Sequence, residues 1–208
     1  EVVLEPTEIT ATIADVEDAP PASPTTSIIG GVAPTASASA VFSTPFVDGF
    51  PQGLEYDDCL AWGEESLFNG NYLQAAEAFR AAMLQRDDDE YPKFQLGLAL
   101  FGAGRFSEAV LALDLGLRQS PSVVYRRFEI DQAFANPTEF ATRLGMLERH
   151  LVRTPGDDGA RFVLAYMYYF SGNLFGARSA LRFLEDNGVN ASYLRAMSAE
   201  SEKRLTER

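Results

Sequence analysis

The sequence holds few side chains that could perform acid–base, nucleophilic or metal chemistry. It contains one histidine, His150, and one cysteine, Cys59. A Ser-His-Asp triad needs a histidine base held by a carboxylate, and a structural zinc site needs four Cys or His ligands. One His and one Cys exclude a Cys/His zinc site and an internal disulfide, and they support no triad. We therefore expect no catalytic residues, no metal and no cofactor, in a protein that is not an enzyme.

Three conspicuous polar features have structural explanations instead. Cys59 has no basic residue nearby in the sequence, so we expect a buried small side chain rather than a reactive thiolate. His150 lacks a second ligand residue and is expected in the core or at its rim. The run Asp87-Asp88-Asp89-Glu90 lacks the glycine and the alternating ligands of a calcium loop. We expect it to be a solvated linker that caps a helix.

The net charge of −13 belongs to one end of the chain. Arg80 is the first basic residue, and 13 acidic residues precede it; from Arg80 onward there are 17 acids and 17 bases. Such a charge argues against sequence-independent binding to nucleic acid or to an anionic membrane. The longest apolar run, 162–170, is far shorter than the roughly 20 residues of a transmembrane helix. We expect protein partners, with a basic surface near the N-terminal end of the folded body.

Residues 1–55 differ in composition from the rest of the chain. They are rich in Ala, Pro, Ser, Thr and Val. Proline prevents long helices, and small side chains bury too little surface to offset the entropy of ordering. We therefore predict an extended acidic arm followed by a folded body over 56–208. The arm has apolar anchors that could dock on its own body, on another copy or on a different protein: Val41, Phe42, Phe46, Val47 and Phe50.

From residue 56 onward the sequence has helical periodicity and repeats every 34 residues. Gly70-Asn71-Tyr72 recurs as Gly104-Arg105-Phe106 after 34 residues and as Gly172-Asn173-Leu174 after 68 more. Gly63 and Gly97 show the same spacing. A fixed period of this length is typical of stacked helical pairs, in which a single pair cannot bury its apolar face alone. The sequence therefore predicts an all-α repeat protein.

This pattern resembles the tetratricopeptide repeat (TPR) family. Each repeat of that family is a pair of antiparallel helices, with small residues where the helices approach closely and large ones between them. The resemblance implies a TPR-type α-solenoid of about four repeats closed by a C-terminal capping helix. The implied boundaries are 56–89, 90–123, 124–157, 158–191 and, for the capping helix, 192–206.

The third of these repeats, 124–157, is degenerate. Asp131 and Arg143 occupy two positions where the family prefers small residues, and these positions face each other across the helical pair. We expect them to form an ion pair; the alternative is an irregularity that contacts a partner. Asn136-Pro137-Thr138-Glu139 has the form of a capping box with proline at the first helical position, so a helix should begin there.

The resemblance also implies a concave groove lined by the first helix of each repeat. Apolar and aromatic side chains recur at its positions, which favours binding of an apolar, partly aromatic extended segment. For any single residue, a place in the core is an equally good interpretation. The predicted groove residues are Tyr91, Phe94, Leu98, Phe101, Tyr125, Phe128, Phe162, Tyr166, Tyr169 and Phe170, with Leu60, Leu67 and Phe68 extending the stripe.

The sequence therefore predicts a non-catalytic interaction scaffold or adaptor subunit of a larger, multi-subunit assembly. The alternative is a cell-envelope TPR assembly factor or chaperone that helps to assemble or localise other envelope proteins. Residue 1 is Glu rather than Met, and an Ala/Pro/Ser/Thr-rich arm is common after an export signal. We therefore expect a processed chain and favour the periplasm or cell envelope over the cytoplasm.

Overall fold

The computed structural model describes residues 42–51 and 53–207. Over these ranges the chain forms eight α-helices and two short 3-10 helices, without a strand, so the all-α prediction is confirmed. No helix of the described residues is long and apolar enough to cross a membrane. The α-helices are α1 Tyr56–Phe68, α2 Tyr72–Gln85, α3 Tyr91–Gly102, α4 Phe106–Gln119, α5 Pro137–Arg153, α6 Asp158–Phe170, α7 Leu174–Asp186 and α8 Ser192–Thr206, and the 3-10 helices are Pro121–Tyr125 and Ile130–Ala133.

Three helix–turn–helix pairs form the body: α1 with α2, α3 with α4, and α6 with α7. The turn within each pair contains a glycine with positive φ, namely Gly70 at 78°, Gly104 at 74° and Gly172 at 82°. In the first turn the backbone N–H of Asn71 donates to the carbonyl of Ser66 at 2.8 Å, which closes the end of α1. Glycine adopts this left-handed conformation without the steric cost that a Cβ imposes. The recurring glycine is therefore the signal for the turn.

Two further glycines let the paired helices approach closely. A Cβ on Gly63 of α1 would lie 2.6 Å from the ring of Phe79 on α2. A Cβ on Gly97 of α3 would lie 2.4 Å from Cδ2 of Leu113 on α4. Side chains at these positions would force the helices apart, and overpacking of this kind costs about 1–3 kcal/mol. The two positions that share one phase of the 34-residue period thus have the same structural role.

Three of the eight α-helices of the described residues begin at a capping side chain. The side chain of Asn136 accepts a hydrogen bond from the N–H of Glu139 at 2.8 Å, with Pro137 at the first helical position, so the predicted start of α5 is confirmed. Asp157 and Asn173 cap α6 and α7 in the same way, each through a backbone N–H three residues further on. A side-chain acceptor satisfies one of the N–H groups that every helix start leaves unpaired.

The third predicted repeat, 124–157, lacks its first helix. Between α4 and α5 the chain forms the two 3-10 helices, and α6 packs directly on α4. Asp131 stands at the position where the first two pairs have glycine and the last has Ala165, and it remains partly exposed. An ordinary helix here would press the Asp131 carboxylate against a neighbouring helix, and burying an unpaired carboxylate is costly. Residues 121–136 therefore take a different path.

The C-terminal helix α8 lies at the end of the array. It packs on α7 and contacts the first 3-10 helix. Tyr193 is buried, lies 6.0 Å from Phe162 between ring centroids, and donates its hydroxyl to the Asp114 carboxylate at 2.5 Å. Asp114 is itself buried and paired with Arg118 at 2.8 Å. The last helix is thus attached by an apolar contact together with a hydrogen bond to a buried charge.

Tyrosines that are hydrogen-bonded to carboxylates predict a loss of stability at high pH. Burial, with hydrogen bonds to Glu139, Glu64 and Glu148, raises the pKa of Tyr72, Tyr91 and Tyr168 to about 12, against an ordinary value of 10.0. Between pH 10 and 12 the unfolded chain loses phenolic protons that the folded chain retains, so the free energy of unfolding must fall as pH rises. Urea unfolding monitored by circular dichroism from about pH 8 to about pH 12 measures this fall. Phenolate absorbance that develops near pH 10 for all tyrosines in a fully helical protein would contradict it.

Candidate functional site

The structure corrects the predicted groove. Six of its ten residues are buried in the protein core rather than exposed to a partner. Helix α6 contributes most of them, because it packs on α4 and is also covered by the chain between α4 and α5. These side chains fill the interior and are not available as a binding surface. The buried ones are Leu98, Phe101, Phe162, Tyr166, Tyr169 and Phe170.

Residues 121–136, which we call the crossing segment, cover part of the face where the groove was expected. At its start the Val124 carbonyl accepts hydrogen bonds from the Tyr169 hydroxyl and from Arg204, the latter at 3.3 Å. Further on, the ring of Phe128 lies 5.6 Å from that of Phe170. The segment is thus bound to α6 and α8 along its first half.

The second half of the crossing segment reaches the N-terminal pairs. Phe134, 2% exposed, lies 6.0 Å from both Tyr72 and Phe101 and 5.4 Å from Phe140, measured between ring centroids. The turn at Ile130–Ala133 packs against α1. The segment therefore touches the first helix of all three pairs. The expected ligand of the groove was an apolar, partly aromatic segment. The crossing segment, through Val124, Phe128 and Phe134, lies on this face of the protein.

The other predicted groove residues lie closer to the surface. Tyr91, Tyr125 and Phe128 are exposed, at 41%, 62% and 42%. Phe94 is partly buried and stacks on Tyr166, with the ring centroids 6.4 Å apart. The three α1 residues that were expected to extend the groove differ in exposure: Leu67 is buried, Leu60 is partly buried and Phe68 is 51% exposed. Exposed aromatic side chains of this set are therefore retained at two places, around α1 with the start of α3 and on the crossing segment.

The end of the arm docks on the chain's own body. Phe42 is buried in the main core, and its carbonyl accepts from Nη1 of Arg80 at 3.1 Å. The N–H of Phe46 donates to Oε2 of Glu77 at 2.8 Å. Glu77 and Arg80 are themselves paired at 2.5 Å, and both side chains are largely buried. This ion pair on α2 thus holds the arm backbone through one acceptor and one donor, while Val47 is partly buried beside it.

Side-chain stacking completes the arm contact. The guanidinium of Arg105 lies 4.9 Å from the ring centroid of Phe46, and the rings of Phe50 and Trp62 lie 5.5 Å apart. Val41, the remaining predicted anchor, lies outside the described residues. The sequence left open whether the arm docks on its own body, on another copy or on a different protein. Residues 42–50 contact α1, α2 and the turn before α4 of the same chain.

An acidic cleft of about 440 Å³ lies between α1, α3 and the second 3-10 helix. Its walls include the exposed aromatic side chains of Phe68 and Tyr91. Its rim carries the carboxylates of Glu64 and Glu65, which belong to the part of the chain that has no basic residue. The residues that define the acidic cleft are Glu64, Glu65, Phe68, Tyr91, Gln95 and Gln132.

A short chain of hydrogen bonds crosses this cleft. Nε2 of Gln95 donates to the hydroxyl of Tyr91 at 2.7 Å, and that hydroxyl donates to Oε1 of Glu64 at 2.8 Å. Burial, followed by the bond to the Glu64 carboxylate, raises the pKa of Tyr91 to about 12. The phenol therefore stays protonated at neutral pH, and its proton is committed to Glu64.

The polar atoms of the cleft that lack partners are mostly acceptors, since the only unassigned donors are the second N–H of each glutamine amide. Gln132 donates its amide to Glu129, so each side-chain donor group of the cleft already has a partner. Among the described residues, neither oxygen of Glu65 nor Oε2 of Glu64 has a hydrogen-bond or ion-pair partner. Oε1 of Gln95 is buried and also unpartnered. The cleft is thus electron-rich and short of donors.

The lone cysteine and the lone histidine lie where the sequence predicts. Cys59 is buried, and burial raises the pKa of its thiol, which contacts Nε2 of Gln85 at 3.6 Å. His150 is at the rim of the core, with Nε2 2.7 Å from Oδ2 of Asp157 and its ring centroid 5.3 Å from that of Phe106. Both positions are explained by packing and hydrogen bonding.

The expected Asp131–Arg143 ion pair is wrong. Arg143 pairs instead with Glu139, one turn earlier on α5, at 2.7 Å. Its guanidinium also lies 4.6 Å from the ring centroid of Tyr72. Asp131 belongs to the crossing segment rather than to a helix facing Arg143, because the third predicted repeat, 124–157, does not form its first helix.

The acidic run at 87–90 is a helix-capping linker. Oδ1 of Asp89 accepts from the N–H of Tyr91 at 2.8 Å, and Oδ2 accepts from the Tyr56 hydroxyl at 2.6 Å. Lys93 is 2% exposed and donates to the carbonyls of Asp87 and Asp89. In the described part of the chain, no group of three His, Cys, Asp or Glu side chains is arranged to hold a metal ion.

Sequence reasoning missed the cleft and the central residue of the crossing segment. Phe134, Gln132, Gln95 and Glu64 were not predicted as site residues. The signal for the first two is the failure of the repeat pattern at Asp131, which indicates that this stretch is not an ordinary first helix. Gln95 and Glu64 carry no local signal, since only packing brings α1 and α3 together.

Comparison of the chain with protein-family models, with curated proteins and with solved structures returned no match.

Proposed function

We propose that this chain is a non-catalytic protein-interaction module of the TPR type, a scaffold or adaptor that binds a basic partner at the N-terminal end of its helical array. The observation that carries the proposal is the surface of α1. This helix exposes four carboxylates and two large aromatic side chains, and it has no basic residue: Asp57, Asp58, Glu64, Glu65, Trp62 and Phe68.

Such a surface suits recognition of a basic partner. Like charges concentrated on one face attract an oppositely charged partner and speed its encounter. Exposed aromatic side chains supply the contact area that most often dominates binding energy. The TPR assignment is supported by the 34-residue spacing, by the turn glycines and by the close approach at Gly63 and Gly97.

The crossing segment moves the proposed binding surface away from the central groove. Because residues 121–136 lie against α6 and reach α1 and α3, they already cover part of the face formed by the first helices. The end formed by α1 and the start of α3 remains open, with Phe68 and Tyr91 exposed. We therefore place the partner there rather than along the whole array.

Photo-crosslinking tests this placement. Benzoylphenylalanine replaces Phe68 in one variant and Phe175, 74% exposed on α7, in a matched control. In the native complex we expect crosslinks from position 68 to a Lys/Arg-rich segment of one partner, weakening as salt is raised. Mass spectrometry identifies the crosslinked peptides. Equal yields from the two positions, or crosslinks from position 68 to acidic segments, would contradict the proposal.

A further inference from the structure

We propose that the acidic cleft binds the guanidinium of an arginine side chain presented by the partner. This inference rests on the proposed function, because it names the chemistry that the N-terminal end of the array recognises. The cleft combines Glu64 and Glu65 with the aromatic side chains Phe68 and Tyr91. The proposal therefore places recognition of the partner at one cleft between α1 and α3, whereas charge alone would attract a partner to the whole acidic surface.

The hydrogen-bonding groups of the cleft select a pure donor. The tyrosine proton and one N–H of each glutamine amide have partners within the protein, whereas the Glu65 carboxylate and the second oxygen of Glu64 have none among the described residues. A guanidinium has five N–H donors and no acceptor, so it complements this arrangement. Its planar fork matches a carboxylate in a bidentate manner, which a lysine ammonium does not.

The chain uses the same combination internally. Tyr72 donates to Glu139 at 2.8 Å, and Arg143 lies 4.6 Å over the Tyr72 ring while pairing with Glu139. Likewise, Tyr56 donates to Asp89 at 2.6 Å, and Arg86 lies 3.9 Å over the Tyr56 ring. A tyrosine bonded to a carboxylate therefore accommodates an arginine at two places in this protein.

The cleft contains another tyrosine–carboxylate pair, and it has no arginine over its ring. Among the described residues the same is true of the pairs Tyr168–Glu148 and Tyr193–Asp114. Tyr91 donates to Glu64 at 2.8 Å, and no arginine lies over the Tyr91 ring among the described residues. The open volume of about 440 Å³ beside this pair has room for a side chain from outside. Guanidinium groups stack favourably on exposed aromatic faces, and the effect strengthens as the cation is desolvated.

The arginine must come from beyond the acidic end of the chain itself. Residues 1–79 contain no lysine and no arginine, so the arm cannot supply the cation. We commit to a segment of a different protein, on the ground of charge complementarity with a surface that carries carboxylates and no base. A second copy of this chain, which has bases from Arg80 onward, is the competing occupant that the experiment addresses.

Small arginine probes test the cleft directly. N-acetylarginine amide is titrated into the full chain and followed by amide chemical shifts in heteronuclear NMR spectra, beside N-acetylcitrulline amide, its uncharged isostere. We expect chemical-shift changes confined to the residues around the cleft. The citrulline probe should bind at least about tenfold more weakly than the arginine probe, because it loses the charge-assisted hydrogen bonds. Absence of shifts at the cleft, or equal affinity for the two probes, would overturn the proposal.

Two double variants separate the cleft from the general acidic field. Glu64→Gln/Glu65→Gln removes two charges within the cleft, and Asp57→Asn/Asp58→Asn removes two exposed charges from the first turn of the same helix. The first variant should weaken binding of the arginine probe about tenfold and the second by less than about threefold, since exposed charges further away are screened. Equal weakening by both would show that only the overall charge matters.

The remaining outcomes distinguish this inference from the proposed function. If crosslinking at position 68 captures a basic partner but the arginine probe does not bind, the cleft assignment is wrong and the interaction module stands. If the probe binds but no protein partner is crosslinked, the proposed function fails. Self-association of the chain that Glu64→Gln/Glu65→Gln abolishes would make a second copy the occupant, against the proposal of a different protein.

Discussion

Replacing Phe134 by alanine is expected to lower the free energy of unfolding by about 3–5 kcal/mol, the usual cost of removing a buried phenylalanine ring. The ring is 2% exposed and lies against Tyr72, Phe101 and Phe140, so its loss leaves a cavity among three other rings. Urea unfolding followed by helical circular dichroism measures the change. Hydrogen exchange should also show that amides of the crossing segment, 121–136, lose protection before those of the helical pairs.

Phe128→Ala is the matched control for this prediction. Phe128 belongs to the same segment and contacts Phe170, but 42% of it is exposed, so truncation should cost less than about 1.5 kcal/mol. A loss as large for Phe128 as for Phe134 would show that the two rings contribute equally. A loss below about 1 kcal/mol for Phe134→Ala would mean that the crossing segment is not an integral part of the core.

Replacing Glu77 by alanine is expected to cost a similar amount, about 3–5 kcal/mol, because it leaves a charge in the protein without its partner. The Glu77 side chain is 3% exposed, and that of Arg80, its partner at 2.5 Å, is 12% exposed. The same carboxylate accepts the N–H of Phe46, so the variant should also release the end of the arm. Urea unfolding measures the first effect, and chymotrypsin cleavage after the arm phenylalanines measures the second.

Glu108→Ala provides a control of the same geometry. Glu108 pairs with Arg105 at 2.5 Å and at the same three-residue separation, but the two side chains are 33% and 39% exposed. An exposed pair of this kind contributes at most about 1 kcal/mol. Equal destabilisation by the two substitutions would mean that burial of the Glu77 pair has no energetic consequence. An unchanged cleavage rate in Glu77→Ala would show that the arm is held by its apolar contacts instead.

The turns and the start of α5 were predictable because their causes are local. A left-handed residue is required where one helix reverses into the next, so Gly70, Gly104 and Gly172 mark the three turns without knowledge of the rest of the fold. Asn136 followed by Pro137 likewise specifies the start of α5 through a hydrogen bond that spans three residues.

The groove could not be predicted because a core position and a binding position require the same kind of side chain. Tyr169 and Phe170 are apolar in either case, and only the segment that covers them decides which they are. In this protein the cover is the crossing segment, whose Val124 and Phe128 lie on α6. The ion pair of Arg143 shows the same limit. Asp131 was the expected partner, but Arg143 pairs with Glu139 on the same helix, α5.

By itself the sequence determined the helical class, the 34-residue spacing of turns and close contacts, and the confinement of negative charge to one end. Each of these depends on backbone conformation or composition within a short stretch. Only the tertiary structure decided that one helix of the array is missing and that the chain covers its own central face. It alone assembled an acidic cleft from α1, α3 and a distant turn, since those contacts join residues far apart in sequence through packing that no local pattern records.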